Sequence, residues 1–245
     1  MKRNCGGRML PVMVLSGIAA LVLRKGLYAV VVDVKGLLVR NHPLEIVLAV
    51  LSAAVLASVV LGVRKIAGSG VDAEQDSAGL PAAFGNAAAG AGILITVLTG
   101  RSEAVGYLGD LWRILGLAAP VCLLLAALAR GLGKKPFFLL YVTVCLYFAL
   151  HIVTRYQLWS GNPQLQDYVF SLLAAMALMF FGFYTAAQAV GCGNFPIWLG
   201  TGLAAVYLCL AELARSSCPW LYLGCVIWVL TELAGIRKNC GNKKI

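Results

Sequence analysis

Apolar runs about as long as a bilayer is thick recur along this chain, and they leave it few ways to fold. A helix needs about 20 mostly apolar residues to cross about 30 Å of hydrocarbon. Runs of that order occupy residues 9–28, 43–62, 80–99, 110–129, 136–155, 163–190, 195–213 and 219–236. Lipid offers no partner to backbone N–H and C=O groups, so a spanning run must satisfy them internally, as a helix does. The expected fold is therefore all-α: one integral membrane domain over residues 1–245, a polytopic bundle of eight transmembrane helices, with seven as the fallback. With 61% of residues hydrophobic and 12% charged, the chain lacks the charges, about a quarter of residues, that clothe a soluble domain.

The charges sit between the runs. A net charge of +10 would suggest nucleic acid in a soluble domain, but here Lys and Arg flank apolar segments, where they act as topology signals and touch anionic headgroups. No nucleic-acid partner is expected. An even span count places both termini on one side. That side then carries Lys2, Arg3, Arg8, Arg64, Lys65, Arg130, Lys134, Lys135, Arg237, Lys238, Lys243 and Lys244. The other carries Arg24, Lys25, Lys35, Arg40, Arg101, Arg113, Arg155 and Arg215. The excess predicts cytoplasmic termini, with Arg24 and Lys25 snorkelling at the outer interface.

Local signals refine the runs. No small-x-small cleavage site follows the first, so it reads as an uncleaved span rather than a signal peptide. Two β-branched stretches around Val34-Lys35-Gly36 suggest a short hairpin or an extended surface loop. Residues 67–78 turn to Gly, Ser, Asp and Glu, and Asp72, Glu74 and Asp76 read as a solvated linker. In the third span Gly85 and Ala89, then Gly92, Thr96 and Gly100, recur at four-residue spacing, which lets helices approach closely in lipid. That helix is expected inside the bundle, where Asn86 needs a partner. Pro120 is expected to kink the fourth span, Asp110 and Arg113 to pair at its edge, and Asn162-Pro163 to cap and start the sixth. Glu212 is expected to pair with Arg215, and Glu232 to snorkel toward the final basic cluster.

The most structured polar constellation lies in the fifth span. Thr143, Tyr147, His151 and Arg155 recur every four residues, one slowly drifting face of a helix. Beyond a short aromatic loop, Asp167 and Ser171 begin a similar stripe, with Tyr156, Trp159 and Tyr168 at the level of an aromatic belt. His151 lies about one turn inside Arg155, deep enough to relay protons or to be a hydrogen-bonded structural residue. Arg155 and Asp167 are placed to clamp the loop mouth, where an anionic ligand could compete for the guanidinium. The candidate ligand-binding residues are Tyr147, His151, Arg155, Asp167 and Tyr168.

The segment Arg155-Tyr156-Gln157-Leu158-Trp159-Ser160-Gly161-Asn162-Pro163-Gln164-Leu165-Gln166-Asp167-Tyr168 resembles the signature loop of uncharacterised multi-span membrane proteins of anaerobic Gram-positive bacteria. Leu23-Arg24 with Gly36-Leu37-Leu38 and Pro43-Leu44 is similar to their first hairpin. The resemblance implies a bacterial cytoplasmic membrane and carries over no activity and no catalytic residue.

Catalytic signatures are missing. The chain has no His-Glu-x-x-His, no Gly-x-Ser-x-Gly and no phosphate-cradling loop ending in Gly-Lys-Ser/Thr. With two histidines, a multi-histidine metal centre is excluded in practice, and no cofactor is expected. Cys122, Cys145, Cys209 and Cys225 fall inside apolar runs, where cysteine acts as a small hydrophobe. Only Cys218 is expected at the outer surface, so no disulfide is expected. Three functions fit: a non-enzymatic protein that binds or moves a small solute, an accessory subunit docking another membrane protein through its small-residue faces, and a membrane-embedded enzyme acting on lipid. The first is the leading expectation, because the polar stripe, the proline-bearing fourth span and the glycine-rich third span together permit a gated interior.

Overall fold

The structure, a computed structural model, describes residues 5–30, 43–68, 79–99, 107–159, 168–214 and 216–235. These form eight α-helices: α1 (Cys5–Val30), α2 (Pro43–Ala67), α3 (Leu80–Thr99), α4 (Tyr107–Gly131), α5 (Phe138–Trp159), α6 (Val169–Val190), α7 (Phe195–Glu212) and α8 (Pro219–Ala234). Among the described residues there is no strand. Residues 31–42, where a hairpin or surface loop was expected, lie outside them, as do Asp72, Glu74 and Asp76.

Seven helices are long and apolar enough to cross a membrane, and α8, with 16 residues, is shorter. At 1.5 Å per residue α8 spans about 24 Å, less than the hydrocarbon thickness. It is nevertheless deeply enclosed, with Leu221, Tyr222, Cys225, Trp228, Val229 and Glu232 all buried. A helix shielded by neighbours along its length need not match the bilayer itself.

Local chemistry ends these helices where the dihedrals demand it. Gly133 (φ 72°) and Gly191 (φ 82°) take the left-handed conformation that glycine adopts without a Cβ clash. After α4, Gly133 N–H donates to the Arg130 carbonyl and Lys134 N–H to that of Ala129. After α6, Gly191 N–H reaches the Gln188 carbonyl and Cys192 N–H that of Ala187. Both sets close orphan carbonyls in the Schellman pattern. Asn194 caps α7 by accepting from Ile197 N–H, with proline in the first turn. Asn162-Pro163, expected to cap and start the sixth span, lies outside the described residues, and α6 as described begins at Val169 with Tyr168 in the N-cap position.

Helices α3 to α8 each pack on the next, and α8 packs back on α3, closing a cycle, while α1 and α2 lean on α7 and on each other. Small residues make the closure possible. A Cβ at Gly224 would come within 2.6 Å of the Ala88 carbonyl oxygen, and one at Gly92 or Gly85 would collide with Trp220 or Thr231. The small face of α3 is thus spent inside the chain, against α8. Its larger residues, Leu80, Phe84 and Leu98, point outward. On the other side of α3, Gly90 lies against the backbone of Pro120 and Gly116 against Val97, so the proline-bearing stretch of α4 is also a contact surface. Tyr141, Tyr147, Phe148, Phe181, Trp198 and Trp228 fill the interior. Val12, Leu61, Leu117, Leu128 and Phe183 are among the large apolar side chains left on the outside, as suits a lipid solvent.

Three placements correct the sequence reading of the charges. Arg24 does not snorkel: its side chain is 2% exposed and pairs with Glu212, while Nη1 also donates to the Ala211 carbonyl. Glu212 has Arg24 as a partner; Arg215, with which it was expected to pair, lies outside the described residues. Glu232 does not snorkel either, being 1% exposed within the bundle. The physical reason is shared: a facing helix supplies an opposite charge, so neither group must reach water. Asp110 and Arg113 are both exposed, and no ion pair joins them.

Candidate functional site

Two polar clusters occupy opposite ends of the bundle. The first grows from the stripe on α5. Tyr147 and His151 turn into the interior and are fully or almost fully buried. Thr143 lies on the drifting edge of that stripe, and its hydroxyl donates to the Leu139 carbonyl of its own helix. His151 Nδ1 accepts from Trp112 Nε1–H of α4 at 3.3 Å, which places any proton of a neutral imidazole on Nε2. Trp112, Tyr147 and His151 form one aromatic group, with ring centroids 5.9 Å apart for Tyr147 and His151 and 6.4 Å for Trp112 and His151. The Tyr147 hydroxyl is buried with no hydrogen-bond partner, an arrangement that costs free energy unless something else satisfies it.

Toward the end of α5, Arg155 Nη2 donates to Cys218 Sγ at 3.0 Å, tying α5 to the start of α8. Of the other candidate residues, Tyr168 stands at the start of α6, half-buried, and Asp167 lies outside the described residues. The structure thus gathers Tyr147 and His151 with Trp112, and sets Arg155 beside Cys218. The Arg24–Glu212 pair belongs to this same end, since Glu212 closes α7. Phe170 of α6 lies under the Arg24 guanidinium, 4.8 Å from its centroid.

The second cluster joins four helices and was not foreseen as a site. Arg130, in the last turn of α4, donates from Nη1 to Glu232 Oε2 of α8 at 2.8 Å and from Nε to the Tyr141 hydroxyl of α5 at 3.1 Å. Asn86 of α3 donates from Nδ2 to Glu232 Oε1 at 3.2 Å and to its own Ala82 carbonyl. The partner that Asn86 was expected to need is therefore Glu232. Asn86 Oδ1 is buried without a donor. Trp228, one turn before Glu232 and stacked on Tyr141 at 6.3 Å, carries an indole N–H that approaches the Glu232 carboxylate without reaching hydrogen-bond geometry.

Sequence signals for this second cluster existed but were local. Asn86, Arg130 and Glu232 each interrupt or end an apolar run, at a depth where a polar group is costly. Their convergence depends on which helices adjoin, and that cannot be read from spacing. Along α5 the two clusters are separated by the rise from Tyr141 to His151, about 15 Å. Tyr141, stacked on Trp228, carries the second cluster into an aromatic layer with Phe181, which is set edge-on to Trp228 at 5.2 Å. Among the described residues no group of three or more His, Cys, Asp or Glu side chains is placed to hold a metal ion.

No family model, curated protein or solved structure matches the chain.

Proposed function

We propose that this membrane protein binds and moves a small polar solute, with α3, α4, α5 and α8 as the unit that handles it. The observation that carries this reading is the ion pair Arg130–Glu232, buried where four helices meet and flanked by two buried polar atoms, Asn86 Oδ1 and Trp228 Nε1, that have no hydrogen bond. Ionisable groups inside a membrane bundle mark solute and proton paths. A network built for stability alone would be expected to satisfy its polar atoms, because partial satisfaction is worse than an apolar core.

The path we assign runs from the Arg130 end, past the Trp228–Phe181–Tyr141 layer, to Tyr147 and His151, and leaves by the end of the bundle that holds Arg155 and Tyr168. In this reading the protein sits in a bacterial cytoplasmic membrane with both termini inside, as the basic clusters and the family resemblance suggest. The accessory-subunit alternative is weaker, because the small face of α3 that would dock a partner is occupied by α8.

The decisive comparison uses the double substitution Arg130→Met with Glu232→Leu. Replacing a whole buried pair by apolar residues of similar volume is often neutral for stability, so the fold should survive while the solute contact is lost. Reconstituted in liposomes and offered a panel of labelled anionic, neutral and cationic small solutes, the native chain should take up at least one, and the folded double variant should fall to the protein-free background. Equal uptake by both would sink this reading.

A further inference from the structure

Two atoms left idle beside the Arg130–Glu232 pair narrow the solute class. Asn86 Nδ2 donates to the Ala82 carbonyl and to Glu232 Oε1, and only the nitrogen of an amide can serve two acceptors. Those bonds fix the orientation of the amide and leave Oδ1 as a buried acceptor with no donor. Trp228 Nε1 is a buried donor with no acceptor. Both residues are fully enclosed. Both also border one carboxylate, that of Glu232, Asn86 from α3 and Trp228 from one turn earlier on α8, so a small molecule at that carboxylate reaches both.

The indole needs an acceptor and the amide oxygen needs a donor. A carboxylate carries acceptors alone: it would satisfy Trp228, leave Asn86 Oδ1 idle and set a further negative charge against Glu232 in the bundle interior, where that is costly. An ammonium carries donors alone and would set a further positive charge beside Arg130. A zwitterion carries both, but its charges are matched only by drawing Arg130 and Glu232 apart. An uncharged carboxamide or hydroxyl group also carries both, and it leaves Arg130 and Glu232 with the partners that already hold them. The ion pair then has a positioning role: Glu232 Oε1 holds the Asn86 amide by its nitrogen and so presents the oxygen. Such a site discriminates well, because a solute lacking either function leaves a buried polar atom unpaired.

Resting on the transport reading above, we infer that Asn86 Oδ1 and Trp228 Nε1 together bind a small uncharged solute through a group that both donates and accepts, a carboxamide or a hydroxyl. The solute donates to Asn86 Oδ1 and accepts from Trp228 Nε1. No covalent bond forms or breaks, and the ion pair stays closed.

The test uses the full chain in liposomes whose membrane potential is clamped, and follows entry of labelled solutes against protein-free controls. Acetamide and glycerol carry both functions and separate the carboxamide from the hydroxyl. Acetate has the shape of acetamide with acceptors alone, trimethylamine N-oxide is a neutral acceptor with no donor, and methylammonium has donors alone. Acetamide, glycerol or both should enter well above the protein-free rate, with the other three at background. Trp228→Phe keeps a ring against Tyr141 and Phe181 and removes the donor, so it should slow entry about tenfold while the chain unfolds near the native temperature. Asn86→Leu removes the acceptor and should slow entry similarly, which keeps the test readable if either variant fails to fold. Entry of acetate, trimethylamine N-oxide or methylammonium as fast as that of acetamide and glycerol overturns the solute class and leaves the transport reading standing. Acetamide or glycerol entry that neither variant slows overturns the assignment to these two atoms, again with transport intact. If acetamide and glycerol both stay at background, the two atoms hold trapped water only and the inference fails, and the wider solute panel decides the transport reading by itself.

Discussion

Arg24 and Glu212 show how one residue's environment is set by another 188 positions away. Alone near the end of α1, a guanidinium would reach for water. With a carboxylate from α7, the Ala211 carbonyl and the Phe170 ring around it, it stays inside. Removing one partner should therefore cost far more than removing both. Glu212→Leu leaves a buried unpaired cation and should lower unfolding stability by about 3–5 kcal/mol, whereas Arg24→Met with Glu212→Leu should be within about 1–2 kcal/mol of the native chain. Denaturant titration in detergent distinguishes the two cases, and equal losses would mean that the pair reaches water in solution. The same logic explains an incomplete sequence reading. Depth was legible for Asn86, since an amide in an apolar run must find a partner, but Glu232 and Arg130 looked like ordinary helix-end charges until α4 and α8 came together.

At the scale of the element, α3 and α8 are matched by size rather than by polarity. Gly85, Gly92 and Gly224 remove side chains where the two backbones meet, and close packing of this kind drives helix association when lipid is the solvent. Gly224→Val is expected to force the pair apart, destabilising the protein by about 1–3 kcal/mol as an overpacked core does. Because α3 carries Asn86 and α8 carries Glu232, the same change should also reduce solute uptake. A second glycine supplies the control: Gly131 has open space around its Cα, so Gly131→Ala should leave both thermal stability and uptake near native. Spacing made the small face of α3 legible. It did not say which helix would fill that face, because any helix with a complementary glycine could do so.

For the whole molecule, the cycle of α3 to α8 together with α1, which lies against α7, has a buried ion pair at each end with an aromatic layer between them. A bundle of this form requires that the turn holding Cys192, exposed between α6 and α7, lie on the same face as Lys134 and Lys135, and opposite the end of α5. If the termini are cytoplasmic, a membrane-impermeant maleimide should label Cys192 in inverted membrane vesicles and spare it in intact cells. Labelling from the outside would reverse the orientation while leaving the fold as described.

What the sequence by itself determined is the solvent and the element type: long apolar runs with unsatisfied backbones in lipid must become helices, and the runs can be counted along the chain. The glycine and asparagine that end or cap α6 and α7 belong to the same class of local information. Only the tertiary structure decided that Arg24 meets Glu212, that Arg130 meets Glu232, and that α8, too short to match the bilayer, lies enclosed among its neighbours. The reason is physical. Helix formation is settled by each run and the lipid around it, whereas the cost of a buried charge is settled by what faces it, and that depends on how the helices close on one another.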